Sequence, residues 1–535
     1  MDRCQIAIVG SGFAGSLLAR VLATLGYDVV LLERGRHPRF AIGESSTPLG
    51  SLALERLARR YSLPDLQQLA AHGRWLRTFP ELRRGLKRGF SFYQHRPGRP
   101  YANDAGNDAR LLVAASPSDE VADSHWLRED VDHHFVRQAI AAGVDYRDQV
   151  ELASVAIGER EVQLRGHRDG APVQILARMV IDASGPAGFL KHQLGIPSAL
   201  RRTATRSALV FGHFQGVALF DEVAREAGAQ LSPPPYPEDW AALHHLIDGG
   251  WMYLLRFDHD VASAGFLLSP QALARVHRGG AIRPDLLWDR LLARYPSIGA
   301  QFAPSTPLFP VRFQARVQHR MATAAGPRWA ALPHTFAFVD PLFSTGIAWS
   351  LLGVERLARA FEAAASKGRG RLPPASVFTR YASLLAREAD QVDRLIHGAY
   401  LALGDFDLFA SHAMLYFAAV SYAEARQRLI AGDDDAWTGF LGVDDPSLSD
   451  VFGDSVSRLR RLTHGGQRRA RAAERQEYLR WVAGAIAPRN IAGLADPARH
   501  NLYPVDFALL VERCRLLGLD RETITAALPR LRGVA

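Results

Sequence analysis

The sequence predicts an α/β fold in which a doubly wound sheet carries an inserted β-rich region and is followed by a helical C-terminal part. Three observations predict it. Residues 5–9 form a short apolar strand running into Gly10, residues 14–25 follow a helical period, and residues 27–32 read as a second strand. A further strand at 179–181 closes on Asp182-Ala183-Ser184-Gly185. Beyond residue 376 the pattern becomes helical and rich in Ala, Leu and Arg.

At 535 residues the chain exceeds what one hydrophobic core supports, so several subdomains are expected. Residues 1–200 are assigned to the first part of a nucleotide-binding domain and 201–325 to a β-rich substrate region. Residues 326–375 return to the first domain and end in a long amphipathic helix at 347–365; 376–535 form the helical region. The Trp251 strand is the most aromatic of the insert, and Pro233-Pro234-Pro235 marks an excursion within it. No run of about 18 apolar residues occurs, so no transmembrane helix is expected. The N-terminus reads as a strand rather than a signal peptide, which places the chain in the cytoplasm. Two cysteines, Cys4 and Cys514, offer neither a disulfide framework nor a metal cluster.

The net charge of +9 is carried almost wholly by arginine, since only Lys87, Lys191 and Lys367 among the 64 basic residues are lysine. The densest basic run passes through Arg458, Arg460, Arg461, Arg468, Arg469, Arg471 and Arg475. It has no interleaved aromatics, so it reads as a solvated helix face rather than a nucleic-acid site.

Gly10-Ser11-Gly12-Phe13-Ala14-Gly15 is G-x-G-x-x-G at a strand-to-helix junction. Gly10 permits the turn, Gly12 the approach of a pyrophosphate and Gly15 close packing of helix on strand, while the helix N-terminus favours phosphate. Glu33, about twenty residues on, ends the second strand where a carboxylate accepts from ribose hydroxyls. A Rossmann-type dinucleotide site is therefore expected, with Phe13, Ala14 and Arg34 beside these residues.

FAD is the dinucleotide that further likenesses imply. The segment ending in Asp182 and Gly185 resembles the second fingerprint of FAD-dependent monooxygenase-type folds, and Asp340-Pro341 resembles their late ribityl-contacting segment. Arg128 sits where those enzymes place a flavin-contacting arginine; a surface ion pair is the other reading. No second G-x-G-x-x-G is visible, so reduced flavin is expected from a separate flavin reductase or a transient nicotinamide visit.

Three more segments resemble flavin-dependent halogenases, closest to the phenol-directed branch. His37 to Pro48, containing Gly43-Glu44-Ser45-Ser46, resembles the loop lying against the isoalloxazine. Leu86-Lys87-Arg88-Gly89-Phe90-Ser91-Phe92 resembles the K-x-G-x-x-F strand of the essential lysine. Phe338 to Gly346 matches F-x-x-P-x-x-S-x-G at every fixed position. Phe343, before Ser344, stands where tryptophan-directed enzymes carry glutamate. The resemblance implies FADH2, oxygen and chloride or bromide generating hypohalous acid, with halide held near Thr345 and Gly346 and flavin beside Ile347. Lys87 would deliver the electrophile, because an amine hydrogen-bonds hypohalous acid or forms a haloamine while a guanidinium is not readily deprotonated. That lysine stands at this position in a chain that otherwise chooses arginine supports the assignment; the other reading is a strand-edge lysine in a basic patch with Arg83, Arg84 and Arg88.

One motif departs from the family. W-x-W-x-I-P appears as Trp251-Met252-Tyr253-Leu254-Leu255-Arg256. Trp251, Tyr253, Phe343 and Ser344 are expected to form the barrier between flavin and substrate; a weakened barrier admits direct hydroxylation of an aromatic as the alternative, and an inert FAD-binding partner of a biosynthetic complex is a third. The substrate expected is a small, electron-rich, phenolic aromatic of secondary metabolism, free or carrier-tethered, acted on by a monomer or homodimer with no nucleic-acid or membrane partner. His133-His134 and His244-His245 are placed in helical or loop contexts without metal, and His95 is read as a surface imidazole. Trp349, Tyr400, Phe406, Phe409, Tyr416 and Phe417 are expected in helices, mostly as core.

Overall fold

A computed structural model describes residues 2–277, 279–430, 437–466 and 470–532. The first sheet is built on β1 (Asp2–Val9), whose last five residues are almost wholly buried, as a central parallel strand requires. β1 pairs in parallel with β2 (Val29–Leu32), Ile6 opposite Val29. On its other side it pairs with a long strand, Ala171–Asp182, Ile6 opposite Met179. Trp329–Ala331 pairs in parallel beyond that strand, so the chain returns to this sheet after a long excursion. Helix α1 (Phe13–Thr24) connects β1 to β2 and packs between the helices Arg128–Ala141 and Thr345–Ala365.

The second sheet has nine strands and one continuous row from Ala208–Gln215 through Val261–Leu268, Gly250–Arg256 and Ala242–Ile247 to Gly89–Gln94 and Arg110–Ala114. It is therefore not confined to residues 201–325: two strands come from before residue 200, and Leu502–Tyr503 joins from near the C-terminus. Its strands Ala242–Ile247, Gly250–Arg256 and Val261–Leu268 are buried along their full length, with a separate core on the far face around Tyr93, Phe214, Phe266 and Trp288. His244 and His245 lie in one of these buried strands. The expectation of a helix or loop failed because a strand covered on both faces shows no alternation of polar residues to reveal it.

A short antiparallel pair, Arg84–Lys87 with Asp123–Trp126, sits between the sheets. The lysine segment is thus split: Arg88 separates Arg84–Lys87 from Gly89–Gln94, and the two pieces join different sheets. At Gly89 a Cβ would fall 2.3 Å from the Val113 carbonyl oxygen, so the second piece enters its sheet only as glycine. Long helices Ala375–Ala402, Phe406–Leu429, Pro446–Thr463 and Ala472–Ile486 close one side, and the first fourteen residues of Phe406–Leu429 are almost all buried. A buried ion pair, Arg356 to Glu388 at 2.6 Å, ties the helix Ala375–Ala402 to the helix Thr345–Ala365. In the basic run, Arg475 pairs with Asp405 and Asp407 and Arg458 lies over the Trp481 ring, while Arg468 and Arg469 fall outside the described residues. Among the described residues no helix is long and apolar enough to cross a membrane, and no group of three or more metal-ligating side chains assembles.

Candidate functional site

The glycines of the first turn have different physical duties. Gly10 has φ +104°, and a Cβ there would lie 2.4 Å from the Ala183 carbonyl oxygen. At Gly15 a Cβ would lie 2.1 Å from the Gly10 carbonyl oxygen. Both are demanded by the fold itself. Gly12 has φ −63°, and its Cβ would meet nothing nearer than 3.7 Å. Its place at the head of α1, where first-turn N–H groups lack helical partners, suits a group brought close to the backbone.

Glu33 stands beside this turn. Its carboxylate accepts from the Ser11 N–H at 3.1 Å, the Ser11 hydroxyl at 2.9 Å and the Gly35 N–H at 2.9 Å, with Arg39 at 3.4 Å. Burial opposes ionisation, but Arg39 and these donors hold Glu33 below its ordinary range. Arg128 is not a surface residue: it is buried, makes paired hydrogen bonds to Asp132 at 2.9 Å, and donates to the carbonyls of Ile42 and Gly43 at 3.0 and 3.1 Å. Asp132 in turn accepts from the Phe13 N–H at 3.1 Å. Arg128 and Asp132 therefore fasten the Gly43 loop to the head of α1. Ala14 is half-buried in the first turn and Arg34 is exposed. Asp182 caps its own turn, accepting from Ser184 and from the Leu190 N–H, and the Gly185 N–H donates to the Thr335 hydroxyl at 2.9 Å. A cradle whose one unstrained glycine has no Cβ neighbour nearer than 3.7 Å, beside a carboxylate and a buried arginine, fits a dinucleotide such as FAD.

Gly43 is exposed at φ +93°, and beyond it the loop is pinned to the second sheet. Glu44 is buried between His213 and the Ser263 hydroxyl, each at 2.8 Å. Ser45 accepts from the Ser344 hydroxyl at 3.1 Å. Ser344 adopts φ +53° and leads into the helix Thr345–Ala365, whose first turn holds Thr345, Gly346 and the buried Ile347. At Gly346 a Cβ would lie 2.7 Å from His334 Nε2, a buried nitrogen without a hydrogen-bond partner. Burial pushes His334 down to about 3, so its ring is neutral. Asp340 is turned inward: its carboxylate accepts from the Ser207 hydroxyl at 2.8 Å, the Tyr400 hydroxyl at 2.9 Å and the Leu342 N–H at 3.2 Å. Burial raises it to about 7.

Lys87 is fully buried. Its Nζ donates to the Ser46 carbonyl at 2.5 Å and lies 4.1 Å from the centre of the Phe90 ring. The basic patch of the other reading does not form: Arg83 pairs with Asp130, Arg88 with Asp119, and Arg84 donates to nearby carbonyls and approaches Asp258. Removal from water disfavours the ammonium and drives Lys87 down, toward the neutral amine. Ser45 and Ser46 are adjacent, so one loop touches both Ser344, at the head of the Thr345–Ala365 helix, and Lys87. The structure thereby brings together the lysine and the helix terminus.

Aromatic rings enclose the lysine side. His244 stacks on Phe92 at 4.4 Å; Phe343 stacks on Tyr416 at 4.8 Å and lies 6.3 Å from Phe92; Phe409 and Phe417 complete the cluster. Trp251 and Tyr253 are both buried, with ring centres 6.2 Å apart, and Trp251 also faces His244. The aromatics Trp349, Tyr400 and Phe406 are helical, and Trp349 donates to Glu388 at 2.8 Å. His95 is no surface imidazole: it is buried on the far face, 2.9 Å from His245, which contacts Gln301. A strand-end histidine followed by Arg and Pro gave no sign of that cover. Asp132, His334 and Asp123 belong to no motif, and the sequence does not show that Asp132 reaches the Phe13 N–H, that His334 packs on Gly346, or that Asp123 faces Lys87.

A model of the NAD(P)-binding Rossmann-like domain family matches residues 8–71. The chain is 26% identical over 496 residues to the monodechloroaminopyrrolnitrin halogenase PrnC of Pseudomonas fluorescens, covering 88% of this chain and 83% of that one. It is 29% identical over 348 residues to the tetracycline 7-halogenase of Kitasatospora aureofaciens, covering 64% and 60%. Among solved structures it is similar to the halogenase PltM in complex with phloroglucinol and FAD, with a TM-score of 0.81 at 23% identity over 93% of this chain and 99% of that one. The flavin-dependent brominase Bmp2 superposes with a TM-score of 0.60 at 16% identity, over 86% and 99%.

Proposed function

We propose that this chain is a flavin-dependent halogenase, as its likeness to the halogenases above supports, and that it halogenates an electron-rich, phenol-type aromatic, with Lys87 holding the electrophile. When bound, reduced FAD supplies the electrons with which oxygen converts chloride or bromide to hypohalous acid; a separate flavin reductase would provide that reduced flavin. The chain's own residues do the rest. Gly10, Gly12, Gly15 and Glu33 seat the dinucleotide, and Arg128 locks the Gly43 loop against it. The Thr345 and Gly346 N–H groups, at the positive end of a 21-residue helix, hold halide. Ser344, Trp251 and Tyr253, with Phe343 from the aromatic cluster, wall off that end and exclude water. Lys87 Nζ, as the free amine, accepts a hydrogen bond from hypohalous acid or exchanges one N–H for N–halogen with release of water.

The observation that carries this reading is the burial of Lys87 against Ser46, one residue from the Ser45–Ser344 contact. Lys87→Ala tests it. The variant should bind FAD as the parent does and lose halogenation by at least about two orders of magnitude, the scale of a removed proton-handling side chain. Full halogenation with FAD bound would sink the role of Lys87. The altered Trp251 strand favours a second reading, a hydroxylase, in which product forms without halide; the burial of Tyr253 beside Trp251 speaks for a retained wall.

A further inference from the structure

Lys87 has a neighbour that the proposed chemistry does not yet use. Lys87 and Asp123 stand directly opposite each other in the antiparallel pair of Arg84–Lys87 and Asp123–Trp126. Residues so opposed project to the same face with Cβ atoms about 4.5–5.5 Å apart. Both are buried. Asp123 Oδ1 accepts from the Ser51 hydroxyl at 2.9 Å, whereas Oδ2 is buried without a partner. Lys87 spends one of three possible donors on Ser46. An isolated buried charge of either sign is strongly disfavoured, so each group needs the other.

The titratable rings closest to this pair stay neutral, and the two further charges that reach Asp123, Glu424 and Arg428, act in opposite directions. His125, on the Asp123 strand, and His244, on Ala242–Ile247, are each driven by burial to about 3 and stay neutral. Tyr416, on Phe406–Leu429, is pushed up by burial and stays a phenol. Farther along that helix, Arg428 is committed to Glu424 and Glu55. Ser51 is the contact from Pro48–Tyr61.

We propose that Asp123 is a positioning residue for Lys87: its carboxylate, opposite Nζ in the strand register but not hydrogen-bonded to it in this structure, shares one proton with Nζ when a side-chain rotation brings Oδ2 within reach, so that the pair alternates between ammonium–carboxylate and amine–carboxylic acid. In the exchange an Nζ–H bond breaks, its electron pair stays on nitrogen, and an Oδ2–H bond forms; the pair's net charge is zero throughout. The amine state is the one that halogen transfer requires, so the inference rests on the reading of Lys87 given above. Burial acts in the same direction on both partners, lowering Lys87 and raising Asp123 until their ranges approach.

The chain's three lysines make the test direct. Full-length protein labelled with carbon-13 at lysine Cε gives three side-chain signals, and Lys87→Met identifies the one from residue 87. In the parent this signal should titrate well below the ordinary lysine value of about 10.4. In Asp123→Asn, loss of the nearby opposite charge should move its midpoint down by about 1–3 pH units. Ser51→Ala, which removes a donor to the carboxylate without removing the carboxylate, should move it the same way by less. Asp123→Glu should restore part of the parent midpoint. A parent signal at the ordinary lysine value, or a midpoint unmoved in both Asp123→Asn and Ser51→Ala, would overturn the pairing whatever products form. A normal pairing with halogenation intact in Lys87→Ala would overturn the delivery role instead, and with it the use proposed for the pair.

Discussion

Gly12→Ala separates a glycine kept for the fold from one kept for a ligand. The added Cβ meets nothing nearer than 3.7 Å, and φ −63° is ordinary for alanine. The expected stability loss is therefore that of a poorer helix cap, below about 1 kcal/mol. Gly15→Ala, by contrast, drives a Cβ to 2.1 Å from a backbone oxygen and should cost about 1–3 kcal/mol or more. Gly10→Ala adds a positive φ to a 2.4 Å clash, a further penalty of about 1–2 kcal/mol. If the open side of Gly12 receives the pyrophosphate, the same methyl group that spares the fold should weaken FAD binding at least about tenfold, or 1.4 kcal/mol. Urea denaturation of the flavin-free proteins and titration of FAD by its fluorescence read the two effects independently. Parent-like FAD affinity in Gly12→Ala would refute the placement, and so would a stability loss as large as that of Gly15→Ala.

Two further predictions concern buried charge. Arg356→Met should destabilise the protein by about 3–5 kcal/mol, because among the described residues it leaves the buried Glu388 only the Trp349 and Phe440 N–H donors; a shift in the urea midpoint worth under about 1 kcal/mol would contradict this. Asp340 is raised by burial to about 7 in the fold, so the folded state holds a proton that the unfolded chain releases near pH 4, and its contribution to stability falls as pH rises from about 4 to 7. Asp340→Asn cannot ionise, so its deficit relative to the parent should narrow between pH 5 and pH 8, and a pH-independent difference in urea denaturation would count against the assignment.

What was legible in the sequence was what repeats locally. Gly10, Gly12 and Gly15 lie within six residues, at a strand-to-helix junction whose periodicity is visible on both sides, and Glu33 closes the next strand. Lys87 stood out because the chain chooses arginine almost everywhere else. The rest of the site depends on strand register and long-range cover. Asp123 faces Lys87 only because two short strands pair in one register, and nothing in Asp-Ser-His-Trp announces it. His95 and His245 were misplaced for a related reason: their burial comes from the Tyr101, Phe220 and Gln301 side chains, which approach from other elements. Arg128 is the intermediate case. Its carboxylate partner one helical turn away was foreseeable, but its burial against the Ile42 and Gly43 carbonyls follows from the path of the loop.

Whether this chain turns halide into an electrophile for a phenolic substrate is read most directly by mass spectrometry of its products. A panel of phenols is incubated with the protein, FAD, a flavin reductase, its nicotinamide reductant and oxygen, with and without bromide or chloride. Replacement of hydrogen by halogen is expected, dependent on added halide and lost in Lys87→Ala. Incorporation of oxygen into the ring at equal rates with and without halide would contradict it.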